Sequence, residues 1–230
     1  MTLPGGAFEL RLADAAGIAA AVDALSAGRL VLHPTETVAS LSGDPHNAAA
    51  VEAARRLKGY SEVRPFVCLV FDLPVARALA ADWPAAAAAL ADAFWPGPLT
   101  LLLRAGTAAP APVTEGGRLA LRPAADPVSR SLLAKWGGPL FSTSANRRGQ
   151  PPPTQVARAA RVLAGAAGFE AVALALTAGA SGAGGEPAGR VDRTALPSTI
   201  VDVTTPVPRV VRRGAIPIRR LREVWAEVEE

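Results

Sequence analysis

The chain lacks most of the residues that announce a chemistry. In 230 residues it has one cysteine, one methionine, one tyrosine and two histidines. A lone cysteine excludes an intramolecular disulfide framework, and Cys68, inside "FVCLVF", reads as a buried thiol in a protein of the reducing cytoplasm. His33 ends an apolar run and His46 precedes a helical pattern, so neither has a partner at metal-ligand spacing. Aromatic residues make up only 5% of the chain, which leaves little for stacking single-stranded bases. No apolar run reaches the roughly 18 residues of a membrane-spanning helix. The opening "MTLPGGAFELRLADAAG" has no basic region followed by an apolar core, so no secretion signal is expected. Walker loops, GxGxxG and a Ser–His–acid order are missing too, so phosphate would not be held by those devices.

What the chain has in quantity is apolar surface and arginine. Half of it is apolar and mean hydropathy is +0.25, which excludes a disordered chain and allows a substantial core. The net charge is +4 with a pI near 10.2, and every basic residue except Lys58 and Lys135 is arginine. Mild basicity of this kind fits phosphate-bearing ligands or RNA and by itself selects neither. Where lysine is so rare, Lys58 at a helix end stands out.

Helical periods alternate with short apolar runs. A helix over 14–28 precedes a strand that should end near His33, because Pro34 cannot donate to a sheet ladder. Asn47 caps a helix over 46–57, and a strand is expected over 66–71. One alanine-rich helical stretch runs from 74 to 94, followed by strands over 99–103 and 118–122. Asp126 caps the next helix, with Pro127 at its first position, and "PLFST" reads as a strand ending at Ser142. Thr154 caps a helix over 154–165, strands follow over 171–177, 198–203 and 209–212, and a last helix closes the chain. The glycine-rich stretch 178–189 reads as a surface loop. This alternation predicts an α/β (α+β) fold, with one mixed sheet flanked by helices in a single domain over 1–230. The core should span about 14–216, with the final helix over about 217–230.

Polar clusters interrupt the apolar runs at the ends of expected strands. They comprise Thr35, Glu36 and Thr37; Lys58, Tyr60 and Arg64; Arg122; Ser142, Ser144 and Asn146; Ser198 and Thr199; and Arg212 and Arg213. Open α/β sheets place ligands beyond strand carboxyl ends, so these clusters could converge on one crevice. Hydroxyls and an amide there would hydrogen-bond a polar ligand, and Lys58, Arg122 and Arg212 would neutralise phosphate or carboxylate. Each cluster also has a plain reading. "PTET" can be a turn whose hydroxyls cap backbone groups, "SAN" is a common loop tripeptide, and cations at a helix end favour its dipole.

Together, "HPTETVASLSGD", "RLKGYSEVRPF", "FWPGPLTLLL", "LALRPAADP", "FSTSANRRGQPPPT", "STIVD" and "VVRRGAI" resemble the YrdC-like family, in order and approximate spacing, from about Gly28 to Ile216. The resemblance is to single-domain threonylcarbamoyl-AMP synthases and implies a twisted mixed sheet around a basic concave cavity. It implies a nucleotidyltransferase that joins L-threonine, bicarbonate or carbon dioxide, and ATP. The products would be threonylcarbamoyl-AMP and pyrophosphate, for tRNA modification in the cytoplasm. By position, Thr35, Arg122, Ser142 and Ser198 would bind threonine, with Arg122 on its carboxylate. Lys58, Tyr60, Arg64, Ser144, Asn146 and Arg212 would serve the nucleotide, with Lys58 and Arg122 central to catalysis. Mg²⁺ would arrive on the triphosphate, held mostly by phosphates and water. Implied partners are tRNA or structured RNA and a downstream threonylcarbamoyl transferase. Three departures mark the motifs: Tyr60 replaces an arginine usual two residues after the lysine, "TVASLSG" replaces "TVYGLG", and "RPAAD" lacks a proline. A competing expectation, a non-catalytic RNA-binding relative, predicts RNA affinity that falls steeply with salt and ignores Arg122→Ala.

Overall fold

The computed structural model describes residues 8–59, 65–178 and 196–230. Strand β1 (Glu9–Leu12) leads into helix α1 (Ala15–Ser26), then β2 (Leu30–His33) and β3 (Ser40–Gly43). Helix α2 (Ala48–Lys58), β4 (Val67–Val70), α3 (Leu73–Leu79) and α4 (Ala85–Phe94) follow. The second half contains β5 (Leu99–Arg104), β6 (Arg118–Pro123), α5 (Pro127–Trp136), β7 (Leu140–Ser144) and α6 (Val156–Leu163). It ends with β8 (Val172–Thr177), β9 (Thr199–Asp202), β10 (Arg209–Arg212) and α7 (Ile218–Val224).

Local chemistry sets many of these boundaries. β2 stops at His33, before Pro34, as the ring of proline requires. Asn47 accepts from the backbone N–H of Ala49 and Ala50, and Asp126 accepts from those of Val128 and Ser129. Gly59 ends α2 in the left-handed region at φ 69°, where a side chain would be strained. Four boundaries depart from the sequence expectation, the simplest being β7, which runs past Ser142 to Ser144. The stretch 74–94 is two helices, because Pro84 disfavours helical geometry in the residue before it and Ala80 bridges to Ala105. Helix α6 starts at Val156 after Gln155 rather than being capped by Thr154. The last helix ends at Val224, since the tail is drawn into the sheet edge: Val210 N–H donates to Glu229 O, and Glu229 N–H to Pro208 O. The glycine-rich stretch lies, but for Ala178, outside the described residues.

The ten strands form one mixed sheet ordered β1-β8-β2-β3-β7-β4-β6-β5-β9-β10. Side chains alternate between its faces. One face carries Leu32, Leu41, Cys68, Leu101, Leu121, Phe141 and Val201, packed against residues of α2, α3, α4 and α6 in the larger core. The other face carries Val31, Leu69, Leu140 and Leu174, covered by Ile18, Ala21 and Leu25 of α1 and Val128, Leu132 and Leu133 of α5. Register places His33 beside Ser40, Val31 and Ser142 beside Ser42, Ser144 beside Ser40, Val67 beside Ser142 and Arg122 beside Leu69. These polar residues therefore share the second face, where α1 and α5 give out.

Candidate functional site

That partly uncovered face forms a cavity of about 230 Å³. Its floor comes from alternate residues of six strands: Ser40, Ser142 and Ser144, then Val67, Ala120 and Arg122, then Leu102 and Ile200. Loops add Thr35, Thr37 and Val38 after β2, Pro65 and Phe66 before β4, and Pro197 and Ser198 before β9. Val211 and Arg212 of the edge strand complete it. Volumes of about 300–1,000 Å³ are typical of drug-sized ligands, so this hollow is sized for something smaller, on the scale of an amino acid.

Seven residues singled out in the sequence line the cavity: Thr35, Thr37, Arg122, Ser142, Ser144, Ser198 and Arg212. Lys58 and Asn146 lie directly behind Ser144. Lys58 Nζ donates to Ser144 O at 2.6 Å and to Asn146 Oδ1 at 2.6 Å, and Ser144 Oγ donates to Asn146 Oδ1 at 2.6 Å. Asn146 Nδ2 donates in turn to Gln150 O. Burial, with 2% of Lys58 exposed, lowers its pKa to about 8. Tyr60 and Arg64 fall outside the described residues.

Arg122 is the underused group. It is only 5% exposed, yet among the described residues its one hydrogen bond, from Nη1 to Thr37 Oγ1, is long at 3.4 Å. Nη1 also lies 3.3 Å from Glu36 Oε1, within reach of charge attraction but not aligned as a hydrogen bond. Among the described residues, Arg122 Nε and both Glu36 oxygens are buried without a hydrogen-bond partner. Burial pushes the pKa of Arg122 down, and the Glu36 carboxylate pulls it back up. A buried guanidinium with spare donors on a cavity wall is built to take a planar anion.

The threonine-rich loop is held by itself. Thr35 Oγ1 donates to Val38 O at 2.7 Å and accepts from the backbone N–H of Thr37 and Val38, each at 3.3 Å. It also meets Thr37 Oγ1 at 3.1 Å. Thr35 therefore faces the cavity with its hydroxyl engaged in the turn. Beneath the loop, Pro34 O accepts from His33 Nδ1 at 2.9 Å and from Ser129 Oγ at 2.7 Å. A carbonyl cannot donate, so Nδ1 carries the proton and Nε2 accepts from Ser42 Oγ at 2.7 Å. Chiefly through burial, the His33 pKa falls to about 4, which keeps the ring neutral. On the far side, Arg212 donates through Nη2 to Ser198 O at 2.7 Å and to Ser198 Oγ at 2.8 Å, while Ser198 Oγ meets Thr100 Oγ1 at 2.8 Å.

Sequence reasoning passed over Ser40, Ser42, Thr100 and Ser129 as site-forming residues. For Ser40 and Ser42 a signal existed: in "SLSG" the two serines share one face by two-residue alternation, and His33 precedes them on a neighbouring strand. Among the described residues no group of three or more His, Cys, Asp or Glu could hold a metal ion.

A hollow on the uncovered face of a mixed α/β sheet, rather than beyond its strand ends, lined by hydroxyls and two guanidiniums, has the chemistry to hold a small polar, anionic ligand. The chain belongs to the Sua5/YciO/YrdC family: the family model, described as "Telomere recombination", matches residues 23–214. A relative from Alkalilimnicola ehrlichii, named threonylcarbamoyl-AMP synthase, is 37% identical over 179 residues, covering 77% of this chain and 86% of its own. Among solved structures, P. abyssi Sua5 complexed with L-threonine superposes with a TM-score of 0.79 at 28% identity. That match covers 96% of this chain and 61% of the longer Sua5 chain. E. coli YciO, at 21% identity, has a TM-score of 0.77 over 94% of this chain and all of its own, and so shares the fold.

Proposed function

We propose that this chain is a threonylcarbamoyl-AMP synthase acting in tRNA modification, with L-threonine in the cavity and ATP beside it. The observation that carries the reading is Arg122, a buried guanidinium with unused donors on the wall of an amino-acid-sized hollow. The names of the relatives and the threonine in a similar fold support the same substrate.

In this reading Arg122 takes the threonine carboxylate as a planar anion, and the Thr35–Thr37 turn closes one wall. Ser198, fixed by Arg212, closes another. Ser144 and Arg212 face the phosphates, with Lys58 and Asn146 behind Ser144 and charge from Lys58 at pH values below about 8. Tyr60 and Arg64 join that nucleotide set by motif position. Mg²⁺ bound to the phosphates would add positive charge there. The amine attacks carbon dioxide and releases one proton, giving a carbamate. A carbamate oxygen then forms a bond to the α-phosphorus of ATP as the bond to the β-phosphate oxygen breaks, and pyrophosphate leaves. Carbamates decompose readily in water, so juxtaposition and a dry pocket matter more than any single base. The acyl adenylate is activated for a later transferase that delivers the group to tRNA.

The test is pyrophosphate release by the purified protein. Release should require ATP, L-threonine and bicarbonate together and should vanish in Arg122→Met. Release that ignores threonine would remove the proposal.

A further inference from the structure

A hydroxyl has one proton and two lone pairs, so the fixed acceptors around the cavity dictate which way its hydroxyls point. Thr143 O is a carbonyl and can only accept, and Ser40 Oγ donates to it at 3.1 Å. Ser40 Oγ is also hydrogen-bonded to Ser142 Oγ on the neighbouring strand. With the single Ser40 proton on Thr143 O, Ser142 must be the donor in that second bond. What Ser142 then offers the cavity is a lone pair. The adjoining turn obeys the same count. Thr35 donates to Val38 O and fills its lone pairs with the N–H groups of Thr37 and Val38, and Thr37 accepts from Arg122. The wall is thus split into a donor, Arg122, and an acceptor, Ser142, and both belong to the described lining.

Resting on the reading that this cavity holds an amino acid, we infer that Ser40 is a positioning residue that makes Ser142 accept a hydrogen bond from the substrate nitrogen. Ser142 then has no proton to give the carboxylate, which is left to Arg122. An acceptor suits every state of that nitrogen. Ammonium, amine and carbamate each keep at least one N–H to donate. A donating hydroxyl would instead engage the amine lone pair that must attack carbon dioxide.

The experiment compares two ligands by calorimetry: L-threonine, and 3-hydroxybutanoate, which keeps the carboxylate and hydroxyl but has no nitrogen and is measured by competition. Ser142→Ala should weaken L-threonine on the order of ten-fold, as for a hydrogen bond to a charged group, and shift 3-hydroxybutanoate by less than about two-fold. Ser40→Ala, which leaves Ser142 free to rotate, should lower the preference for L-threonine over 3-hydroxybutanoate by about five-fold, and Ser40→Thr should restore it. Thermal denaturation of each variant checks that it folds. Equal losses for both ligands in Ser142→Ala, or an unchanged preference in Ser40→Ala, overturn the inference while leaving the threonine site standing. A wild-type chain that does not bind L-threonine overturns the amino-acid reading and the inference with it.

Discussion

The contact between Arg122 and Glu36 should be a weak point of the fold, and its removal tests the electrostatics of the cavity. Arg122 is 5% exposed and the Glu36 side chain 16%, at a separation of 3.3 Å. Taking two charges out of water costs several kcal/mol each, and Coulomb attraction repays this only with good geometry and satisfied hydrogen bonds. Here the geometry is poor and three polar atoms of the pair lack partners. Removing one charge strands the other, at about 3–5 kcal/mol for a buried pair. Glu36→Gln should therefore lower stability by about that amount. At about 2–4 °C per kcal/mol for a domain of this size, the fall in Tm is on the order of 10 °C. Replacing both partners with apolar residues, in Glu36→Leu/Arg122→Met, should recover most of the loss, because nothing charged remains buried. Yet the double variant should not bind L-threonine. In the wild type, threonine at a hundred times its Kd should add about 2.7 kcal/mol, and in the double variant nothing. Thermal denaturation of the wild type, Glu36→Gln and the double variant, with and without threonine, measures all of this. A Glu36→Gln loss below about 1 kcal/mol, the level of a solvent-exposed pair, would refute the reasoning, as would a double variant no more stable than Glu36→Gln.

Lys58 and Cys68 should shape alkaline stability with opposite signs. Burial lowers the Lys58 pKa to about 8, so between about pH 8 and 10.5 the unfolded chain holds a proton that the folded chain has released. Stability should rise with pH through that window by roughly 3 kcal/mol, and the rise should disappear in Lys58→Met. Burial raises the Cys68 pKa to about 12 from 9.0, so above pH 9 the unfolded chain loses a proton that the folded chain keeps. Stability should fall by roughly 4 kcal/mol towards pH 12, and Cys68→Ala should abolish that fall; chemical denaturation across pH reads both, and a profile unchanged by either substitution would contradict the burial argument. A Cβ at Gly214 would lie 2.2 Å from Pro197 O and 2.5 Å from the Ser198 carbonyl carbon. Gly214→Ala should therefore displace the segment entering β9, costing about 1–3 kcal/mol in urea denaturation and weakening threonine binding through Ser198. Unchanged stability and affinity would show that this close approach is not required.

The elements that could be read from the sequence are those fixed by their own residues. Pro34 ends β2, Asn47 starts α2, and Asp126 with Pro127 starts α5, because a cap or a proline ring acts within three or four positions. What could not be read depends on distant chain. Leu10 and Leu12 of β1 are largely exposed, and the strand exists because it pairs in parallel with β8, some 160 residues away in sequence. β3 has the composition of a loop, "SLSG", and becomes a buried strand because β2 and β7 flank it on both sides. The last helix would continue by propensity beyond Val224, but backbone bonds between Glu229 and the edge strand win. The alternation that hides Leu41 and Phe141 in one core turns Ser40, Ser42, Ser142 and Ser144 to the other face.

The same contrast separates the identity of the site residues from their chemistry. That Arg122, Ser142 and Ser198 belong together was legible, because residues of neighbouring strands converge wherever a sheet is left uncovered. Which of them gives a proton and which receives one was not, because the answer lies in carbonyls that every residue possesses. Thr35 shows the consequence. Its hydroxyl, the most conspicuous in the motif, is saturated by Val38 O and two backbone N–H groups, so it shapes the turn. The groups with capacity left for a ligand are the misaligned guanidinium of Arg122 and a serine whose orientation is set by Ser40. Recognition at this cavity is therefore decided by hydrogen bonds that the backbone leaves unfilled, and substitutions that alter those bonds without moving the backbone should change binding far more than they change stability.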